Sequence, residues 1–317
     1  MTDRRRINGP SGGTSAPIFS KYLAKTPNEL LERPTRSRPN NALRKMFLKT
    51  GVTPSASGSA YLELEASKNP KSTAPGLSSP STSGLKLTCT VHGPRPLPKS
   101  APFSPHIILT THVKYAPFAT RKRRGYLRDS SERDLGVHLE TALRGVIIGD
   151  RWPKSGVEII ITILEGEEDQ WWGDGIGHGN TAAAEWGMMS VLSGCITVAS
   201  AAIADAGIDC VDVVAGGVAA VVKGSAKGPS PNLVLDPVPS EHKEIIAACI
   251  VGYLPSRDEI TDLWVKGDIG HGNQNEDTAQ SASYEELADS AVQAALGSHR
   301  VLIAALKETA DVKIGRS

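Results

Sequence analysis

Residues 188–222 read MMSVLSGCITVASAAIADAGIDCVDVVAGGVAAVV, and this stretch carries the strongest structural signal in the chain. Its pattern predicts a helix from Met188 to Asp205, and the many Ala, Ser and Gly residues favour close packing of that helix against a sheet. Strands are predicted to follow at Val211–Ala215 and Gly217–Val222. The apolar run is interrupted by Asp205, Asp209 and Asp212. A membrane span would tolerate these carboxylates poorly, so the stretch is expected to form a protein core.

The segments before this stretch alternate between strand and helix patterns. Apolar and β-branched residues predict strands at Ser59–Glu65, Leu85–Val91, Ile107–Tyr115 and Val157–Leu164. Ser131 and Asp134 have the spacing of a capping box and predict the start of a helix. The apolar stripe of that helix consists of Leu135, Leu139, Ala142, Leu143, Val146 and Ile147.

The C-terminal third contains short strands and a long helix. Leu233–Leu235 and Leu263–Val265 are predicted strands, whereas Ile245–Leu254 fits either a strand or a buried helix. An amphipathic helix is predicted over Ser283–Leu306. This order of elements favours an α+β (α/β) fold, with mixed sheets packed on helices.

One domain over residues 56–317 is expected to follow a basic, largely irregular arm over residues 1–55. Disordered or loop insertions are predicted near residues 67–84, 166–187 and 267–282, where Gly, Pro, Ser and polar residues cluster.

Charge is distributed unevenly along the chain. The formal net charge is only +1, so no overall field indicates nucleic acid or a membrane as a partner. Basic residues are concentrated in the first 50 residues, at Arg4-Arg5-Arg6, Arg36, Arg38, Arg44 and Lys45. These side chains fit an arm that contacts phosphates, and they fit a solvated tail equally well.

Neither a leader nor a metal site is expected. The start, Met-Thr-Asp-Arg-Arg-Arg, is not followed by an apolar region of the kind that a signal peptide requires. The four cysteines stand singly, at Cys89, Cys195, Cys210 and Cys249. Their spacing gives no zinc pattern and favours buried free thiols in a reducing compartment.

Six short motifs, in order, resemble the RNase PH-like family. They lie at Gly58–Glu63, Val91–Arg95, Val113–Phe118, Trp152–Gly156, Ala201–Ile208 and Leu233–Pro237. Within the family, Asp3–Pro10 and Met188-Met-Ser are similar to eukaryotic exosome ring subunits of the mRNA-transport-regulator type, in a fungal-like form. The resemblance implies repeated β–α units, and it implies a six-membered ring of RNase PH-like chains around an RNA channel.

The resemblance also implies partners and a location. The partners would be other RNase PH-like exosome subunits, RNA-binding cap subunits and RNA, with no membrane contact and no cofactor. The expected role is 3′–5′ RNA processing and degradation, including rRNA processing and mRNA decay, in the nucleus, nucleolus and cytoplasm.

Active members of the family cleave RNA with inorganic phosphate, and the resemblance assigns four charged site residues to them. The corresponding positions here hold uncharged groups or a histidine, namely Ser131, Leu192, His242 and Ala248. Without a guanidinium group the site has no strong partner for a phosphate, and without the aspartates it has no metal ligand. A catalytically inactive chain is therefore expected.

Two alternatives remain open: an active phosphate-dependent 3′–5′ exoribonuclease with a misaligned site, and a regulatory binding module outside any exosome.

Candidate RNA contacts lie in two loops. Arg121, Lys122, Arg123 and Arg124 follow the third predicted strand, and Arg95 follows a Gly-Pro turn. These side chains suit contacts with an RNA backbone, although a solvated loop and a structural arginine explain the same residues. Trp171 and Trp172 are predicted to anchor a partner protein, because no basic residue adjoins them.

Overall fold

The computed structural model describes residues 34–67, 84–120, 123–125, 129–168, 186–223, 232–242, 244–269 and 283–315. The first sheet has five strands in the order β1-β2-β3-β5-β4, and all pairs are antiparallel except β4 with β5. Its strands are β1 (Met46–Thr50), β2 (Gly58–Leu64), β3 (Leu85–Pro96), β4 (Ile108–Tyr115) and β5 (Ser155–Glu165).

The second sheet has four antiparallel strands in the order β7-β6-β8-β9. Its strands are β6 (Ala215–Val222), β7 (Asn232–Leu235), β8 (Ile245–Leu254) and β9 (Glu259–Gly267). Three α-helices lie within the described residues: α1 (Ser130–Arg144), α2 (Trp186–Asp205) and α3 (Tyr284–Ile314). The expected α+β fold, with mixed sheets packed on helices, is confirmed.

Helix α2 lies at the centre of the molecule. It packs against β2 and β3 of the first sheet and against β6 and β8 of the second. Most of its side chains are buried, as expected for a helix that is apolar on all sides. By length and composition α2 is apolar enough to cross a bilayer, but 89% of its most apolar window is buried inside this protein. The predicted close packing is confirmed at Gly58, where an added Cβ would lie 2.3 Å from the carbonyl oxygen of Ala202.

Helix α1 begins differently from the prediction. The N-cap is Asp129, and the residue that completes the capping box is Glu132, not the predicted pair Ser131 and Asp134. Glu132 is buried and also accepts a hydrogen bond from the backbone N–H of Tyr115 (3.0 Å). The helix start is therefore set by its attachment to β4, which a local pattern cannot reveal.

Several predicted boundaries shift. The strand predicted at Val211–Ala215 is wrong before Ala215, because β6 starts there. The ambiguous run Ile245–Leu254 is strand β8, whose burial on both faces hides the alternation that identifies most strands. Strand β9 and helix α3 extend beyond the predicted segments, whereas α1 ends at Arg144, before Val146 and Ile147.

The N-terminal segment contains a strand that the sequence pattern did not indicate. Residues 34–45 form neither helix nor strand, but β1 (Met46–Thr50) pairs with β2 as an edge strand. A strand of only five residues gives too weak an alternation to stand out within a basic segment. Residues 1–33 lie outside the described part of the chain, as do residues 68–83, 169–185 and 270–282 of the three predicted insertions.

Candidate functional site

Six charged side chains meet where the C-terminal end of β5 approaches the loop after β7. We call this group the arm cluster; it consists of Arg36, Arg38, Arg44, Glu167, Asp236 and Glu241. All three arginines come from the irregular segment before β1, and the three carboxylates come from distant parts of the chain. The cluster thus attaches the N-terminal segment to both sheets.

Arg44 is the centre of the cluster. Its Nε and Nη2 donate to the two carboxylate oxygens of Asp236 at 2.8 Å and 2.7 Å, and its backbone N–H donates to the same carboxylate at 3.0 Å. Its Nη1 forms an ion pair with Glu167. The side chain of Arg44 is only 2% exposed and that of Glu167 only 1%. This paired, two-point geometry is the strongest that an arginine forms with carboxylates.

Arg36 and Arg38 surround the same turn. Arg38 donates to Glu241 (3.0 Å) and to the backbone carbonyl of Asp236 (2.8 Å). Arg36 donates to the carbonyls of Ala42 (2.9 Å) and Leu235 (3.0 Å). Burial, with the charge of Arg38 adding to it, lowers the pKa of Arg36 to about 10. Both arginines therefore connect the N-terminal segment to the turn after β7 by hydrogen bonds.

The cluster is electrically balanced, with three guanidinium groups and three carboxylates. Burial alone would raise the pKa of Asp236, but the charge and hydrogen bonds of Arg44 lower it to about 2. Burial raises the pKa of Glu167 in spite of Arg44. For Arg44, the two carboxylates outweigh burial and raise the pKa above its ordinary value. The two carboxylates therefore stabilise the charged form of Arg44.

The low pKa of Asp236 predicts an acid-sensitive contribution to stability. Its folded pKa of about 2 lies below the ordinary value of 3.8, so the unfolded chain takes up the proton first as the pH falls. The contribution is complete above the ordinary value and is lost as the pH falls toward 2. Its size is about 2 kcal/mol.

Urea unfolding at several pH values checks this prediction. The Asp236→Asn variant should be less stable than the native chain near pH 5, which is roughly one unit above the ordinary pKa of an aspartate carboxyl group. It should then lose less free energy of unfolding on acidification. Parallel stability curves for the two proteins would contradict the role assigned to Asp236.

A comparison with protein-family models identifies the family of the chain. Residues 42–209 match domain 1 of the 3′ exoribonuclease family (RNase PH). The chain belongs to this family. That match covers more than half of the 317 residues and extends from Ala42, two residues before Arg44 of the arm cluster, to Asp209, shortly after α2.

Relatives of this chain match it along most of their length. Exosome complex component MTR3 of Chaetomium thermophilum is 57% identical over 98% of this chain and 99% of the relative. Exosome complex component mtr3 of Schizosaccharomyces pombe is 29% identical over 84% of this chain and 85% of the relative. The crystal structure of rice (Oryza sativa) Rrp46 has a TM-score of 0.59 at 15% identity, covering 86% of this chain and 98% of that one. That structural likeness supports the fold.

The four positions that the family resemblance assigned to catalysis do not meet at one surface. Ser131 lies in the first turn of α1 and accepts a hydrogen bond from Arg124 (3.3 Å). His242 is half-buried and directly follows Glu241 of the arm cluster. Leu192 and Ala248 are buried inside α2 and β8.

The burial of two of these positions has a physical consequence for the residue assignment. An anion-binding turn precedes a helix, whereas Leu192 is in the second turn of one. A carboxylate at position 248 would lie inside the core. Both positions therefore lie inside the protein core, away from the surface of the chain.

The predicted RNA contacts fall at opposite ends of the first sheet. Arg95 is exposed and lies opposite Gly156 at the start of β5, while Arg124 stacks 4.0 Å above the ring of Tyr115 at the end of β4. Tyr115 pairs with Ile163, so the two ends are about 23 Å apart along β5. Arg123 is exposed beside Arg124. Arg121 and Lys122 lie outside the described residues, as do Trp171 and Trp172.

Sequence reasoning missed the arm cluster. Phosphate contact and a solvated tail were the two interpretations of the basic N-terminal segment, and both are wrong for Arg36, Arg38 and Arg44, which bind carboxylates of their own chain. Asp236 was assigned only as part of a motif. About 190 residues separate it from Arg44, so no local spacing connects them.

The remaining reactive groups are possible metal ligands and the cysteine thiols. Within the described ranges, no three His, Cys, Asp or Glu side chains are grouped closely enough to bind a metal ion. The four cysteines are free; Cys89, Cys195 and Cys249 are buried and Cys210 is half-buried. Burial raises the pKa of all four thiols, which makes them poor nucleophiles.

Proposed function

We propose that this chain is a non-catalytic ring subunit of an exosome-type complex. In this role it assembles with other RNase PH-like chains in a six-membered ring, contacts RNA-binding cap subunits, and helps to guide RNA through the channel. The complex would act in rRNA processing and mRNA decay in the nucleus, nucleolus and cytoplasm. The observation that carries the proposal is the 57% identity, over nearly the whole of both chains, to an exosome complex component.

Strand β9 supports a role in assembly. It is an edge strand of nine residues, and none of the described strands pairs with its outer side. Ile260, Leu263 and Val265 are 46%, 52% and 38% exposed. Their partners on β8 are Tyr253, Val251 and Cys249.

Those β8 residues are buried beneath α3. The apolar face of the second sheet therefore continues past the helix onto an open edge. Such an edge suits a strand of another chain, because the strand would satisfy the backbone groups and cover the aliphatic side chains. We propose that the occupant is a strand of a neighbouring RNase PH-like subunit.

The arm cluster supports the absence of phosphorolysis. A phosphate group needs donors that are not already engaged, and Arg44 donates through Nε, Nη1 and Nη2 to Asp236 and Glu167. Asp236 and Glu241 in turn accept from arginines and so present no open carboxylate pair for a divalent cation. The carboxylates of the arm cluster are thus already paired with arginines of the same chain.

Affinity purification from the native cells tests assembly. The tagged chain should recover the other RNase PH-like chains of the ring together with cap proteins, identified by mass spectrometry. A Leu263→Asp, Val265→Asp double variant should recover about tenfold less of one neighbour, because charges would be buried in an apolar contact. The matched control is Phe118→Asp, at a phenylalanine that is 75% exposed in the loop after β4, away from strand β9. Recovery of the chain alone would contradict the proposal.

An activity assay separates the proposal from the alternative of an active exoribonuclease. The purified full chain is incubated with inorganic phosphate, magnesium and a labelled single-stranded RNA, and nucleoside diphosphate release is measured. We expect no release above a control without phosphate. Phosphate-dependent release that survives repurification would overturn the non-catalytic assignment and would leave the assembly result untouched.

A further inference from the structure

The first sheet has an open edge at strand β1, which we call the β1 edge. Pairing with β2 is antiparallel, and beyond the end of β1 the backbone N–H of Gly51 still donates to the carbonyl of Ser59 (2.8 Å). Backbone groups that face the paired strand alternate with groups that face away from it. The groups that face away are therefore those of Met46, Leu48 and Thr50. None of the described strands pairs with that side of β1.

The exposed side chains at the β1 edge are basic and aromatic. Lys45, directly before the strand, and Lys49 are both exposed, and neither forms an ion pair with a residue in the described ranges. Phe47 lies between them, is 55% exposed, and contacts the ring of Tyr61 edge-on, with the centroids 6.4 Å apart. On β2, the carboxylate of Glu63 accepts a hydrogen bond from Tyr61 (3.1 Å). The two ammonium groups are thus available to carboxylates of a partner.

A cavity of about 240 Å³ adjoins the inner face of β1. Its walls come from β1, β6, α2 and α3, and they are mainly apolar; Met46 and Val301 are among the residues that line it. A residue opposite Met46 on an added strand would point to the same face, with its Cβ about 5 Å away. Because an engineered cavity of roughly 150 Å³ accepts benzene, this one has room for a leucine or phenylalanine side chain.

We propose that the β1 edge binds an extended acidic segment of another protein as an additional strand of the first sheet. The outward backbone groups of β1 pair with the segment, its carboxylates lie beside Lys45 and Lys49, and one large apolar side chain enters the cavity. The lysines oppose a second copy of this chain as the occupant, because pairing of two β1 edges would bring like charges together.

The length of the edge favours a short linear segment over a folded subunit. Strand β1 has only five residues, whereas a stable contact between subunits buries roughly 800 Å² on each partner. The inference goes beyond the proposed function, which assigns a subunit contact to β9 on the other sheet, and it does not depend on that contact.

Fluorescence anisotropy tests the charge of the partner. A labelled peptide of about nine residues that alternates glutamate with leucine is titrated with the purified full chain. The matched control peptide has lysine in place of each glutamate and should bind at least about tenfold more weakly. The Lys45→Glu, Lys49→Glu double variant should reverse this preference. Its Tm should stay unchanged, because both side chains are exposed.

The cavity and the edge are tested separately. Val301→Phe should fill the cavity and weaken binding of the glutamate peptide about tenfold, while its Tm stays unchanged or rises. Hydrogen exchange then locates the added strand. The amides of Met46, Leu48 and Thr50 should become protected when the glutamate peptide is added, and the amides of β9 should not change.

The outcomes separate this inference from the proposed function. Equal affinity for the two peptides, or unchanged binding by Val301→Phe, would overturn the β1 edge as a peptide site, whichever ring partners are recovered. Protection of the three outward amides before any peptide is added would overturn it as well, because the chain itself or a second copy would then occupy the edge. Charge-dependent binding by a chain that recovers no ring partner would support the β1 edge and overturn only the assembly proposal.

Discussion

Replacing Arg44 with alanine is expected to lower the free energy of unfolding by about 3–5 kcal/mol. The substitution leaves Asp236 and Glu167 buried without their cation, and an unpaired buried charge costs far more than the pair contributes when intact. For a domain of this size the loss corresponds to a decrease in Tm of roughly 10 °C. Urea unfolding and calorimetry of the full chain measure both quantities.

A surface arginine provides the matched control. Arg144 forms an ion pair with Glu140 one helical turn away, but its side chain is 74% exposed, so Arg144→Ala should cost less than about 1 kcal/mol. Adding Asp236→Asn and Glu167→Gln to Arg44→Ala should restore part of the lost stability, because the uncompensated charges are removed. Equal losses for Arg44→Ala and Arg144→Ala would show that the arm cluster does not hold the N-terminal segment.

Local patterns sufficed for most of the fold. Helix α2 was predictable because its apolar residues extend over five turns, and β2, β3 and β5 because apolar and polar residues alternate along them. The elements that the sequence pattern did not predict correctly, strand β1 and the start of helix α1, have a common physical cause. Strand β1 is stabilised by its pairing with β2, and α1 begins where Glu132 binds the backbone of Tyr115. Tertiary contacts decide both, and they leave no periodic trace in the sequence.

The candidate site was less accessible to sequence reasoning. A motif identified Asp236, but its partner Arg44 lies at the other end of the chain among several arginines of similar appearance. The RNA-contact positions were assigned from loop composition, and composition cannot tell that Arg95 lies at one end of the sheet while Arg124 stacks on Tyr115 at the other.

Replacing Gly217 with alanine is expected to cost at least about 3 kcal/mol, the upper part of the range for overpacking. Strand β6 and helix α3 are in direct backbone contact there, since a Cβ at position 217 would lie 2.2 Å from the carbonyl oxygen of Ala291 and 2.2 Å from the amide nitrogen of Ala295. Backbone atoms cannot rotate away as a side chain would, so the whole helix must shift and reopen the apolar contact that it makes with β8.

Gly125→Ala is the control, because nothing lies within 4 Å of its added Cβ and restricting the unfolded chain should leave stability unchanged or slightly higher. Hydrogen exchange of α3 amides should report the Gly217→Ala defect directly, with protection lost along the helix while the first sheet keeps its own. Since the aliphatic face of β9 continues the surface that α3 covers, the same variant should also lose neighbouring subunits in the purification. Native protection of α3 in Gly217→Ala would mean that the helix accommodates a methyl group at this contact, and close backbone packing would then not be what positions it over the second sheet.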